Sequence, residues 1–285
     1  GGEPATIMKL ALLSDIHANL QAFDACLADA RARGATQFAL LGDLVGYGAD
    51  PAPVVERVMA MAADGAWVLK GNHDALACRP PAVAGDALGE MTAAWTHAQL
   101  SAAQRQFLDE LPLLHRDGST LLVHASVDSP ERWHYVHDGR GAGESLAAAT
   151  EIAADIRHVF GGHVHRQMLY YQGQGRGLLE FVPTPGAAIP VPAHRRWVAT
   201  IGSVGQPRDG RQEAMYALFD RDAARLTFAR VGVTDPLSTT DYEAHGGLQG
   251  LALGAVQRGD LGVAGLAGGD QHEAVVGGGV AVDGD

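Results

Sequence analysis

Five short segments of this chain each end an apolar run with residues that bind metal ions. They are Asp15-Ile16-His17, Gly42-Asp43, Gly71-Asn72-His73-Asp74, Val123-His124 and Gly162-His163-Val164-His165. The runs before them are Lys9-Leu-Ala-Leu-Leu-Ser14, Gln37-Phe-Ala-Leu-Leu41, Trp67-Val-Leu-Lys70, Thr120-Leu-Leu-Val123 and His158-Val-Phe160. Short apolar runs bounded by turn residues read as strands, and helical patterns between the first of them indicate an α/β chain. Loops leaving strand ends can hold side chains firmly, so a fold that brings these ends to one edge also builds a site.

Carboxylates and neutral imidazoles together suit mid-sized divalent ions, whereas an all-oxygen set would suit Mg2+ or Ca2+. Two ions about 3.5–4 Å apart need a shared ligand, and a carboxylate can bridge where an imidazole cannot. Asp43 is the best bridge, because it stands alone in its segment while other segments supply paired ligands. The five segments together form the ligand set of a two-metal hydrolase.

In this order the segments resemble the calcineurin-like metallophosphoesterase superfamily, whose pattern is D-x-H, G-D, G-N-H-[DE], a lone H and G-H-x-H. The stretches Gly42-Asp-Leu-Val-Gly-Tyr-Gly48 and Gly202-Ser-Val-Gly-Gln-Pro-Arg-Asp-Gly210 are similar to its small bacterial and archaeal phosphodiesterase-type branch. The resemblance implies an α/β (α+β) fold, a two-sheet β-sandwich flanked by helices. It implies Asp15, His17, Asp43 and His165 around one ion, and Asp43, Asn72, His124 and His163 around the other. His73 would be catalytic, beside the ions, with Asp74 orienting its ring. The implied reaction is phosphodiester or phosphomonoester hydrolysis by a metal-bridging water or hydroxide. The cofactors would be two divalent ions, Mn2+ first, with Fe, Zn2+ or Ni2+ as alternatives.

Between the motifs, Pro53 to Ala63 carries apolar residues at helical spacing, and Ser101-Ala-Ala-Gln104 is a capping-box signal for a helix through Leu111. From Met168 the chain turns to β-like pieces: 168–172, 177–182, 197–202, 215–220 and 225–231. The expected catalytic domain spans 8–235, with a Gly-rich tail over 236–285. From Gly246 to Asp285, 13 of 40 residues are Gly and Arg258 is the only basic one, which argues against a packed element there. Gly1 to Ile7 reads as an extension before Met8.

The formal charge of −12 disfavours a general nucleic-acid binder, but a small phosphate ester remains compatible because bound cations dominate the local field. Cys26 and Cys78 suggest no disulfide framework, and no leader or 18-residue apolar run is evident, so the expectation is a cytoplasmic protein without a membrane partner. The sequence leaves the oligomeric state open. His97, His115, His158, His194, His245 and His272 read as structural or surface residues. His134 and His137 lie in a loop after His124, where a surface role is favoured over substrate contact. Ser203 and Arg208 could shape the site rim. Protein phosphatases of the resembled superfamily carry G-D-x-V-D-R-G at the second motif; here Gly46 and Tyr47 stand in place of the Asp and Arg. A phosphoprotein phosphatase or nucleoside-polyphosphate hydrolase is therefore an alternative reading, and a non-catalytic protein-binding scaffold ranks below both.

Overall fold

The computed structural model describes residues 8–233 apart from 84, 86, 175 and 176; the expected N-terminal extension and all of the Gly-rich tail fall outside them. Two six-stranded sheets pack face to face. The first contains β1 (Lys9–Leu13), β2 (Gln37–Leu40), β3 (Trp67–Val68), β9 (Ala188–Pro190), β11 (Ala214–Asp220) and β12 (Arg225–Val231), in the order β3-β2-β1-β11-β12-β9. The second contains β4 (Leu114–Asp117), β5 (Thr120–Val123), β6 (His158–Gly161), β7 (Gln167–Gln172), β8 (Leu178–Phe181) and β10 (Trp197–Ile201), in the order β4-β5-β6-β10-β7-β8.

Strand alternation sorts the apolar residues into three layers. Leu10 and Leu12 of β1 point between the sheets, where they meet Phe160, Ala199, Ile201, Phe219 and Phe228. Ala11 and Leu13 point the other way, against α1 (Leu20–Ala32) and α2 (Pro51–Ala63). On the far side, Leu121, Val123 and Val159 pack against α6 (Gly139–Ile152) through Ala142, Leu146 and Ala149. Both faces of the central strands are covered, so β1, β5 and β6 read as continuous apolar runs rather than as alternation.

The capping box at Ser101 forms as expected. Ser101 Oγ accepts from Gln104 N at 3.1 Å and Gln104 Oε1 accepts from Ser101 N at 2.9 Å, opening α5 (Ala102–Asp109). Two helices complete the layer, α3 (Asn72–Cys78) and α4 (Leu88–Gln99). Gln167 joins the sheets at their centre: its side-chain amide donates to the carbonyls of Ile201, Tyr216 and Ala229. Among the described residues no helix is long and apolar enough to cross a membrane.

β1, β2 and β3 run parallel, as do β5 and β6. Their C-terminal ends lie at one edge of the sandwich, and each is followed by one of the five ligand segments.

Candidate metal centre

The structure gathers the expected ligands into two buried groups. Asp15, His17 and His165 form one, and Asp43, His124 and His163 form the other, with the ligand atoms in each group within 4.8 Å of one another. Asp43 Oδ2 stands between them, 3.2 Å from His124 Nε2 and 3.8 Å from His17 Nε2. Asn72 joins the second group, its Oδ1 3.2 Å from His124 Nε2.

The backbone that aims these side chains is strained. Asp15, His17, Asp43, His163 and His165 all have φ between 49° and 70°, a left-handed region that costs a non-glycine residue about 1–2 kcal/mol. The neighbouring loops hold them there. Asp15 N donates to Gly42 O and His17 N to Asp43 O, while His163 N donates to Asp15 Oδ2 at 2.9 Å. The loop after β10 braces the first segment: Val204 N donates to Ser14 O, Gly205 N to Asp15 O, and Ser203 Oγ to Asp15 O at 2.8 Å. Gly71 has no room for a side chain, since a Cβ there would collide with the backbone nitrogen and carboxylate of Asp43.

Three imidazoles have their tautomers set by their partners. Nδ1–H of His17, His124 and His165 donates to the carbonyls of Val45 (3.2 Å), Leu41 (2.8 Å) and Gln206 (2.6 Å). Each Nε2 of a neutral ring is then a lone pair turned inward. His17 Nε2 and His165 Nε2 face each other at 3.1 Å, and His124 Nε2 faces Asn72 Oδ1 and Asp43 Oδ2. Opposed acceptors repel unless something positive lies between them. Such spacings are the edges of a coordination shell, since metal–nitrogen bonds near 2.1 Å put neighbouring ligand atoms about 3–3.4 Å apart. Asp15 Oδ1 and His163 Nε2 are also buried without a hydrogen-bond partner. The residues present fit a pair of divalent cations.

Titration follows the same logic. Burial holds the imidazoles of His17, His163 and His165 below the usual range, His163 down to about 3. They stay neutral, as ligands must. Burial also opposes charge on His124, but the Asp43 carboxylate overrides it and raises that ring to about 9. Burial works against ionised Asp43 and Asp15 as well, yet the imidazoles around them hold both carboxyls well below the usual carboxylate range.

His73 is buried beside these groups. Its backbone N–H donates to Asp43 Oδ1 at 2.9 Å, and its ring lies 5.2 Å from that of His17 and 4.5 Å from that of Tyr47. Tyr47, where the protein phosphatases carry an Arg, is packed between His17 and His73. Asp74 is held by backbone N–H groups. Its Oδ1 accepts from Leu44 N (2.9 Å) and Val45 N (3.2 Å), and its Oδ2 from Gly71 N (2.8 Å). It ties the loop carrying Asp43 to the start of α3. Burial and the charge of Asp43 raise its carboxyl to about 7.

The loop after His124 keeps its histidines at the surface, as expected, and turns two aromatic residues inward. His134 is exposed and pairs with Asp128 at 2.9 Å. Its neighbours turn to the site: Tyr135 stacks on His163 with centroids 4.1 Å apart, and Trp133 meets His124 edge-on at 5.9 Å. Only the spacing of the aromatics around His134 signals this in the sequence. His137 stacks on the same Tyr135 at 5.0 Å.

Two sheets with helices outside bring the seven expected ligand residues together at one edge, drawn from both sheets. The chain belongs to the calcineurin-like phosphoesterase superfamily, whose domain profile matches residues 8–224. That superfamily comprises hydrolases of phosphoester bonds and typically binds two divalent metals. An uncharacterised protein from Methanocaldococcus jannaschii is 30% identical over 231 residues, covering 78% of this chain and 86% of its own. The crystal structure of a metallophosphoesterase from Sphaerobacter thermophilus superposes with a TM-score of 0.72 at 31% identity, over 92% of this chain and 99% of that one. A hypothetical protein from Pyrococcus horikoshii, at 19% identity and TM-score 0.59 over 80% and 89% of the two chains, shares the fold.

Proposed function

We propose that this protein is a dinuclear, metal-dependent phosphoesterase that hydrolyses small phosphate mono- or diesters. The observation that carries this reading is the pair of inward-facing lone-pair groups with Asp43 Oδ2 between them. Asp15, His17, Asp43 and His165 would hold one ion, and Asp43, Asn72, His124 and His163 the other. Bound ions supply the positive charge that neutralises phosphoryl oxygens and the acidity that makes water a nucleophile near neutral pH. The imidazole-rich set favours Mn2+, Fe, Zn2+ or Ni2+ over Mg2+.

The chain's own residues do the rest. The backbone carbonyls of Val45, Leu41 and Gln206 fix three imidazole tautomers. Asp74 fixes the loop that carries Asp43. His73, next to the ligands and buried, is placed to give a proton to the leaving-group oxygen. With Tyr47 packed against His73, the second motif offers no guanidinium to clamp a phosphoprotein's phosphate.

The test is a panel of phosphate mono- and diesters, including bis-p-nitrophenyl phosphate, with stripped protein reloaded with Mn2+, Ni2+, Zn2+ or Mg2+. Turnover should vanish on chelation and return best with Mn2+. Full activity in excess chelator after dialysis overturns the reading.

A further inference from the structure

His163 differs from the other three ligand imidazoles. His17, His124 and His165 each give Nδ1–H to a backbone carbonyl. The His163 ring makes no hydrogen bond among the described residues: its backbone N donates to Asp15 Oδ2, and its Nε2 is buried without a partner. Ligating imidazoles are ordinarily oriented by a partner at the second ring nitrogen, and losing that partner typically costs about 10–100-fold in metal affinity. The side chain's own torsion does not set the ring plane either, since χ2 of histidine is broad. The backbone here also lies further into the left-handed region than at any other expected ligand, with φ 70°. His163 borders a cleft of about 420 Å³, lined also by Asn72, Trp133 and Tyr135, so on that side no packed core confines it. Something else must hold the ring.

We propose that Tyr135 is a positioning residue for His163. The Tyr135 ring, itself supported by His137, sets the plane of the imidazole, a task that carbonyls perform for the other three. The inference rests on the two-cation reading of the site and adds to it what holds the fourth imidazole.

The geometry is that of a stack. Tyr135 lies on His163 with centroids 4.1 Å apart and planes 26° apart, and His137 lies on Tyr135 at 5.0 Å and 6°. His163 is buried, Tyr135 half-buried and His137 exposed, so the three rings form a row running from the ligand to the surface. Turning any of them out of this plane gives up contact with its neighbour, and that restrains the ring plane. His124 meets the same imidazole edge-on, at 5.0 Å and 64°, and limits it at a steep angle to the stack.

The chain fastens this row locally. Tyr135 and His137 turn to one side of the backbone, while Val136 between them turns to the other, into the core with Leu121, Val123 and Leu146. Immediately after them Asp138 caps α6, accepting from Gly141 N at 2.8 Å. Just before them His134 pairs with Asp128 at 2.9 Å. Tyr135 is thus held by its own stretch of chain, independently of the imidazole that it touches. A tyrosine needed only to cover the edge of the cleft would require neither the matched planes nor a third ring in the row.

The test is titration of the stripped full chain with Co2+, read by calorimetry and by the visible absorption that reports the ion's coordination. The native chain should take two equivalents. Tyr135→Ala and Tyr135→Leu should weaken one of them by about 10–100-fold and leave the other near its native affinity, so that the group of Asp15, His17 and His165 serves as an internal control for folding. Tyr135→Phe, which keeps the ring without the hydroxyl, should return the native affinity and spectrum. His137→Ala, at an exposed position, should weaken the same equivalent by a smaller factor. If Tyr135→Ala fails to fold, the difference between Tyr135→Phe and Tyr135→Leu decides. Native affinity in Tyr135→Leu or His137→Ala, equal losses in Tyr135→Phe and Tyr135→Leu, or a parallel loss of both equivalents overturns the positioning role alone. A native chain that takes no second equivalent overturns the two-cation reading and the inference with it.

Discussion

The two ligand groups use similar residues but occupy different surroundings. Asp15, His17 and His165 are sealed: all are buried, none lines the cleft, and both imidazoles are pinned by carbonyls. In the second group His163 and Asn72 line the cleft, and Trp133 and Tyr135 stand at its edge. Asp43 belongs to both. On the proposed reading, the sealed group would anchor an ion and the open group would meet the substrate.

The largest expected effect tests what the groups share. Asp43→Ala should remove metal from both and lower turnover by more than about 10⁴-fold, because each ion loses a common ligand. Metal content by mass spectrometry alongside turnover is the check, and retention of one full equivalent in each group would separate them. Next, His73→Ala should keep both metals while turnover falls by about 10²–10⁴-fold, the span of a positioned general acid. The loss should be smaller for p-nitrophenol esters, which need little protonation. His124→Ala should lose metal as well as rate; if both variants lose metal alike, His73 is a ligand.

A smaller effect compares the groups by pH. In stripped protein, the depressed imidazoles of His17, His163 and His165 bind protons less readily folded than unfolded. Stability should therefore fall as pH drops below about 6.5. His124 has the opposite sign: raised to about 9, it contributes stability below about 6.5 that is lost as pH rises towards 9. Melting temperature against pH should peak near neutrality in chelator, and saturating Mn2+ should flatten the alkaline arm, where an ion replaces the proton on His124. An alkaline arm unchanged by Mn2+ would mean that the ion does not reach the open group. Smallest of all, saturation at about 100 times Kd should stabilise the fold by about 2.7 kcal/mol per ion, read as a rise in Tm.

Sequence made the ligands and their strands legible because the constraint is local: an apolar run, a turn, then a ligand. β1, β2, β5 and β12 lie within one residue of their expected bounds. α6 was hidden by Gly139, Gly141 and Gly143 in its first turns. It is held by the Asp138 side chain, which accepts from Gly141 N at 2.8 Å, and by packing on the second sheet. β9 is three residues long and exists through pairing with β12. The contacts of Asp74 with the Asp43 loop are not legible from its place beside His73, because adjacent residues diverge on a helix. Trp133 and Tyr135 were overlooked because a left-handed turn leaves no period to read.

The ligands also divide by sheet. Asp15, His17, Asp43 and Asn72 follow strands of the first sheet, and His124, His163 and His165 follow strands of the second, so each group spans the sandwich. An ion bound by either group would then be a removable cross-link joining residues as far apart as Asp15 and His165. Its loss would leave the native contacts in place but lower the barrier to opening them, so on the proposed reading metal supply would set the lifetime of the folded chain against heat and proteases as well as its turnover.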